Sequence, residues 1–186
     1  KRTRSGSPRT ACTTRPKRLS VMSLASSVAP NNKASTVQYA PALFRHLKVA
    51  VDGKAKPLPG PLAFLPGKGG ALTLDGKGYR GKLQVTSAQK ALQVIDVVGL
   101  DAYLLGVVPG EMPKDWPAAA LQAQAVAARS YALASIVKNR PYDLYSDTRS
   151  QVYYGVTAEA PNTTAAVKAT RGEILSFAGK VVTAFY

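Results

Sequence analysis

Only three glutamates occur in the 186-residue sequence, and their surroundings differ. Glu159 stands beside a Pro/Asn turn and Glu173 at a strand start, both ordinary solvated positions. Glu111 lies within Pro109-Gly110-Glu111-Met112-Pro113, with Trp116 just beyond. Two prolines and a glycine there forbid a continuous helix and hold one carboxylate on a constrained loop. An apolar wall from Met112 and Trp116 would raise its pKa toward the working range of a general acid. Cleaving a glycosidic bond needs such a proton donor. A hydrolase adds a second carboxylate about 5–5.5 Å or about 6.5–9.5 Å away, and Asp147 is the candidate for that place. On spacing alone, Glu111 is equally readable as the partner of Arg129 or as a cap for the following helix.

The elements that must position Glu111 follow from periodicity. Leu100, Tyr103, Leu104 and Val107 recur at helical spacing and predict a short helix of about two turns before the loop. After it, Asp115 can cap and Pro117 can open a long helix reaching to about Lys138. Nine of the twenty residues from Ala118 to Val137 are alanine, so this helix is apolar almost all round and reads as the buried centre of a domain. Arg129 in its middle then needs a carboxylate beside it, and a structural ion pair is expected. Upstream, Leu72–Leu74, Tyr79–Val85 and Ala91–Val98 read as strands of an antiparallel meander with a turn at residues 87–90. Leu83 and Val85 alternate cleanly with Lys82 and Gln84. Leu92, Val94 and Asp96 fall on opposite parity from Gln93 and Ile95, so that arm is less one-sided. Residues 142–155 are rich in Tyr and small polar residues without a helical period, and read as extended segment and loop. A helix from Pro161 to about Arg171 closes on Gly172, and a hairpin turning at Ala178-Gly179 ends the chain. The fold class is α+β: antiparallel strands packed around a long Ala-rich buried helix, with a disordered basic N-terminal leader.

The charge is lopsided. Residues 1–99 hold 17 Lys and Arg against three acids, and the remainder 8 against 7. Residues 1–18 carry seven positive charges and no acid among Ser, Thr, Pro and Gly, a composition that cannot bury a core. A nucleic-acid tail would look similar, but no aromatics are interleaved to stack on bases, so nucleic acid is not the expected partner. Ser20–Ala29 is a short, mildly apolar run ending in small residues spaced like an export cleavage site, and a flexible leader reads the same way. Prolines 41, 57, 59, 61 and 66 punctuate the next stretch, in which only a short apolar patch at Phe44 to Val51 could pair as a strand. The chain thus divides into a leader over 1–33, a Pro-rich linker or edge region over 34–71, and a body over 72–186.

Three ordered motifs in that body carry a resemblance. Leu104 to Pro113 with Trp116-Pro117 and Ala119 to Ala132, then Ser150-Gln151-Val152-Tyr153-Tyr154-Gly155, then Ala166 to Gly172, together with Tyr79-Arg80-Gly81 upstream, resemble the signature of the stage II sporulation protein D and amidase-enhancer family. The resemblance implies a domain that works on bacterial cell-wall peptidoglycan outside the cytoplasm. Some members cleave glycan strands as lytic transglycosylases and others assist a wall amidase. It implies Glu111 as the catalytic acid, which serves alone in a lytic transglycosylase because the sugar's own C6 hydroxyl attacks and the glutamate that gave a proton takes one back. Some relatives hold a metal through Cys and His near the Ser-Gln-x-Tyr segment, but neither residue occurs between His46 and Tyr186, so no metal and no cofactor are expected. The family strand usually continues past Tyr186 into a Ser- and Gly-rich loop, so the domain reads as C-terminally truncated. Members also commonly carry an acidic pair where this sequence has Asp101-Ala102.

Substrate contacts are expected from Lys114, which could neutralise a lactyl or peptide carboxylate, and from Ser150, Gln151 and Tyr153, which could hydrogen-bond or stack on sugar rings. A solvated lysine and an edge strand would look the same. A lone Cys12 and a lone His46 exclude an internal disulfide, a CxxC pair or a Cys/His zinc cage within one chain. The apolar runs fall far short of the roughly 20 residues that span a bilayer. Three functions follow: a glycan-cleaving enzyme with Glu111 as acid and base; a wall-binding module that localises or enhances an amidase, its basic half on anionic wall polymers; and a binder of anionic surfaces through residues 1–18 alone.

Overall fold

The computed structural model describes residues 18–25, 27–29, 36–38, 46–51, 54–67, 70–88, 91–136 and 140–186. The architecture is α+β. In chain order the strands are β1 (Arg18–Ala25), β2 (Ser27–Ala29), β3 (Thr36–Gln38), β4 (His46–Val51), β5 (Lys54–Pro59), β6 (Leu62–Phe64), β7 (Leu72–Leu74), β8 (Lys77–Tyr79), β9 (Lys82–Ala88) and β10 (Ala91–Gly99). Helices α1 (Leu100–Glu111) and α2 (Ala118–Ala134) follow, then β11 (Leu144–Tyr145), a 3-10 turn over Gly155–Ala158, α3 (Pro161–Ala169) and the hairpin of β12 (Ser176–Phe177) and β13 (Lys180–Val181).

One sheet runs in the order β11-β1-β10-β9-β6 and the other β5-β4-β3-β2-β7-β8. All their pairs are antiparallel except β11 on β1. Leu83, Val85, Leu92 and Val94 turn one face of the first sheet into the core, as their alternation dictates. Against it packs α1, through Tyr103, Leu104, Val107 and Val108, all without solvent exposure. Each such aliphatic side chain contributes about 1.5–3 kcal/mol by leaving water. Helix α1 in turn touches α2, α3 and the 3-10 turn.

Several sequence expectations need correction. Arg18–Ala25, assigned to a disordered leader, is the full-length partner of β10, with Val21 buried opposite Asp96. Its ladder of backbone bonds is supplied by residues more than 60 positions away, which composition cannot reveal. The rest of 1–17 lies outside the described residues, as does Cys12. The linker of 34–71 contributes β3 to β6, of which only β4 was expected, so the prolines sit within or beside strands rather than replacing them. The meander is broken: Tyr79–Val85 splits at Arg80-Gly81, leaving β8 in one sheet and β9 in the other.

Helix α1 also runs on through Pro109 to Glu111, where a loop was expected. Pro109 removes one backbone donor, but the four buried side chains ahead of it hold the last turn, which the Met112 N–H closes on the Val108 carbonyl at 3.1 Å. Asp115 does not cap α2; Pro117 is its N-cap, its carbonyl accepting from the Ala120 and Leu121 N–H groups. The helix buries one face, with Leu121, Gln124, Ala125, Ala128, Arg129 and Ala132 inside, and leaves Ala118, Ala119 and Ala123 in water. The expected left-handed Gly172 and the Ala178-Gly179 hairpin turn are both present.

Candidate functional site

Glu111 ends α1, where a carboxylate faces the negative end of the helix dipole. Its placement is stabilised from across the chain: the Val152 N–H donates to Glu111 Oε1 at 2.9 Å. Among the described residues Oε2 has no hydrogen-bond partner, and the carboxylate is only partly covered.

The segment carrying Val152 is pinned at each neighbouring residue. Gln151 is 1% exposed; its Nε2 donates to the Ala128 carbonyl at 3.2 Å and to the Tyr186 hydroxyl, and its Oε1 accepts from the Tyr103 hydroxyl at 3.2 Å. The Tyr153 N–H donates to the Ser146 carbonyl at 3.1 Å and the Tyr154 N–H to the Gly106 carbonyl at 3.2 Å. The Tyr153 hydroxyl donates to Asp96 Oδ2 at 3.0 Å. Gly106 and Gly110, one turn apart on α1, make this possible: a Cβ on Gly106 would lie 2.7 Å from the Tyr153 ring, and one on Gly110 would lie 3.2 Å from the Tyr154 ring.

Burial sets the electrostatics. Desolvation pushes the hydroxyl pKa of Tyr103 and Tyr153 well above the usual value, with the charge of Asp96 adding to the effect on Tyr153. Burial also raises Tyr79 and Tyr186 to about 12. All four therefore remain proton donors at neutral pH. Asp96, 4% exposed, is raised to about 7 by desolvation, against which the Tyr153 hydrogen bond works only partly. Its Oδ1 has no partner among the described residues.

The other expected site residues fall into three places. Gln151 and Tyr153, assigned to substrate contact, are buried with their polar groups engaged inside the protein, although Tyr153 also borders the open hollow beside Asp147. Ser150 is half-buried beside them, its Oγ accepting from the Tyr145 N–H at 3.1 Å. Asp147 borders an open hollow of about 400 Å³ shared with Lys77, Tyr79, Thr148, Val152 and Tyr154. Its oxygens are taken by Arg149, whose Nε and Nη2 donate at 2.8 and 2.6 Å, and these bonds hold its pKa at about 2. Lys114 stands apart on a second hollow with Asp115, Glu159 and Asn162. Glu159 is not merely solvated, for both its oxygens accept from Arg80, at 2.6 and 2.7 Å.

Arg129 meets Asp101 rather than Glu111. Its Nη2 lies 3.5 Å from Asp101 Oδ1, and it donates to the Val167 and Glu173 carbonyls at 3.2 and 3.1 Å. The guanidinium thereby ties α2 to α1, α3 and the entrance of the C-terminal hairpin. Among the described residues no three His, Cys, Asp or Glu side chains come together, and no helix is long and apolar enough to cross a membrane.

Residues 88–177, which include α1, Glu111 and the pinned 151–154 segment, match the model of the stage II sporulation protein family, SpoIID. The resemblance carried by the motifs is thereby shown over this region. An uncharacterized protein of Brachyspira hyodysenteriae is 39% identical over 117 residues, which cover 61% of this chain and 32% of that protein. The amidase enhancer of Bacillus subtilis is 36% identical over 117 residues, covering 62% of this chain and 16% of that protein. The chain thus spans well under half the length of either relative. Strands β1 to β8 precede the matched SpoIID region, yet β1 supplies one neighbour of β10 and β8 supplies Tyr79 to the Tyr153 ring at 5.5 Å.

Sequence reasoning missed Asp96, Tyr103 and Tyr186 as members of the site. For Asp96 the signal was present: a carboxylate on the buried parity of a strand requires a partner. The spacing of Gly106 and Gly110 was a second legible sign, since it clears one helix face for a ring.

Proposed function

We propose that this chain remodels bacterial cell-wall peptidoglycan outside the cytoplasm, cleaving glycan strands as a lytic transglycosylase with Glu111 as the single acid and base. The observation that carries the reading is the asymmetric Glu111 carboxylate: one oxygen is fixed by the Val152 N–H and the other has no hydrogen-bond partner among the described residues. Oε2 protonates the glycosidic oxygen as the C1–O bond breaks, and the muramyl C6 hydroxyl closes on C1. Its proton passes to the same carboxylate, leaving a 1,6-anhydro end. Asp147 does not suit the hydrolytic alternative, because both its oxygens accept from Arg149 and its low pKa makes it a weak base. The exposed rings of Tyr154 and Phe185 offer apolar faces on which sugar can lie.

A second reading is favoured by the name of one relative, the amidase enhancer. In it the chain is a wall-binding module that brings an N-acetylmuramoyl-L-alanine amidase to its substrate. Purified peptidoglycan, with and without its stem peptides, separates the two when products are analysed by mass spectrometry. Anhydro-muramyl ends support the enzyme, and reducing ends contradict it in favour of hydrolysis. Wall binding without cleavage, weakened by salt and accompanied by faster amidase turnover, supports the second reading.

A further inference from the structure

We propose that Asp96 is a positioning residue for Glu111, acting through the Tyr153 hydroxyl on the backbone segment whose Val152 N–H holds the Glu111 carboxylate. The inference rests on the reading of Glu111 as the acid for its consequence in catalysis, but its structural part stands by itself. Three links form one continuous route: Asp96 Oδ2 accepts from the Tyr153 hydroxyl at 3.0 Å, Tyr153 adjoins Val152 in the chain, and the Val152 N–H donates to Glu111 Oε1 at 2.9 Å. The Tyr153 ring cannot slip sideways, since Tyr103 and Tyr79 lie against it with centroids 4.8 and 5.5 Å away and Gly106 backs it without a side chain.

Asp96 is an unusual anchor for such a route. It is buried on the face of β10 that turns toward the core, and its Oδ1 fills the space that a Cβ on Gly81 would occupy, 1.7 Å from that point. No ion pair reaches it among the described residues. The groups that face it are the Tyr153 and Tyr79 hydroxyls, which keep their protons, with Val21 opposite on β1 and Leu83 opposite on β9. An apolar residue would fill this site at lower desolvation cost, and what the carboxyl supplies there is the hydrogen bond to the Tyr153 hydroxyl.

The carboxyl also titrates in a useful range, because burial raises it to about 7. On ionisation the Tyr153 hydrogen bond becomes charge-assisted and shortens. That draws Tyr153 toward β10 and displaces the Val152 amide relative to Glu111, so the site carries a pH response whose titrating group does not touch substrate.

Nuclear magnetic resonance on the whole chain tests this without requiring cleavage. With uniform labelling, the Asp96 and Glu111 carboxyl carbons and the Val152 amide are followed from pH 4 to pH 9. The proposal expects the Val152 amide proton to shift with the midpoint of Asp96, and that step to disappear in Asp96→Asn. Tyr153→Phe, which keeps the ring and its packing, should likewise uncouple Val152 from Asp96 and serves if Asp96→Asn does not fold. A Val152 amide blind to Asp96 ionisation overturns the proposal. Where glycan cleavage is present, kcat should lose its near-neutral pH dependence in Asp96→Asn while KM stays within about twofold, and an unchanged kcat profile would also overturn it. Coupling seen in a protein that cleaves no glycan would refute the assigned function and leave the positioning role standing.

Discussion

The Val152 N–H meets Glu111 Oε1 at 2.9 Å although 41 residues of chain separate the two. The contact joins the last turn of α1 to a segment with no regular structure, so its geometry depends on everything that fixes residues 150–154. Helix α1 supplies the carboxylate, the two glycines beside it admit the aromatic rings, and Gln151 bolts the segment to α2.

Gly106→Ala tests the glycine face. Alanine gains roughly 1 kcal/mol of helix propensity, but its Cβ would stand 2.9 Å from the Gly155 carbonyl oxygen and 3.0 Å from its nitrogen, backbone atoms that cannot rotate away. We expect a net loss of about 1–3 kcal/mol, read as a lower midpoint in urea. A midpoint at or above wild type would show that the 3-10 turn yields freely.

Gln151→Leu should be costlier than its modest change in volume suggests. It takes from the Tyr103 and Tyr186 hydroxyls the partner they have now, while the Ala128 carbonyl keeps its place in the α2 ladder, and unsatisfied buried groups cost roughly 1–3 kcal/mol each. A destabilisation of roughly 2–4 kcal/mol by chemical denaturation is the expected result. A change below about 0.5 kcal/mol would mean that water replaces the amide without penalty.

Stability should depend on pH through Asp96. Its folded pKa is about 7 against an ordinary 3.8, so the folded state holds a proton that the unfolded chain has released. The contribution is complete below pH 4 and is lost as the pH rises toward 7, to the extent of about 3–4 kcal/mol over that window. Asp96→Asn should remove this slope. The two proteins should therefore diverge toward wild-type instability at pH 8, and parallel curves would contradict the buried, unpaired carboxyl.

Asp147→Asn separates two chemistries. If Glu111 works alone, the variant should cleave glycan within about threefold of wild type, because Asp147 serves only the surface pair with Arg149. A loss of about 100-fold or more, the scale of a missing acid or base, would promote Asp147 to a direct role.

Much of this was legible in the sequence. The period of α1, the alanine content and opening proline of α2, the Pro161 start and Gly172 end of α3, the buried arginine's need for a carboxylate and the alternation of β9 all follow from local pattern. Glu111 stood out for its bracketing prolines, although Pro109 turned out to lie inside the helix, because burial of Tyr103, Leu104, Val107 and Val108 outweighs one missing donor. What local pattern does not hold is non-local pairing. Arg18–Ala25 joins the end of the basic leader to a mildly apolar run and reads as an export segment or flexible leader until β10 supplies its partner, and an alternation of Gln, Tyr and Ser reads equally as a sugar-binding edge or as a buried network. The same ambiguity hid Asp101 as the partner of Arg129, since a helix-start carboxylate needs no further explanation.

The central claim is that the free oxygen of Glu111 is the acid and base of glycan cleavage. It is tested most directly by incubating purified peptidoglycan with the wild-type chain and with Glu111→Gln, and counting anhydro-muramyl ends by mass spectrometry. Glutamine can keep the Val152 hydrogen bond but donates no proton to a leaving oxygen. The account predicts anhydro ends from the wild type and a fall of at least about 100-fold in the variant, with folding and wall binding retained. Anhydro ends formed equally by both proteins would contradict it.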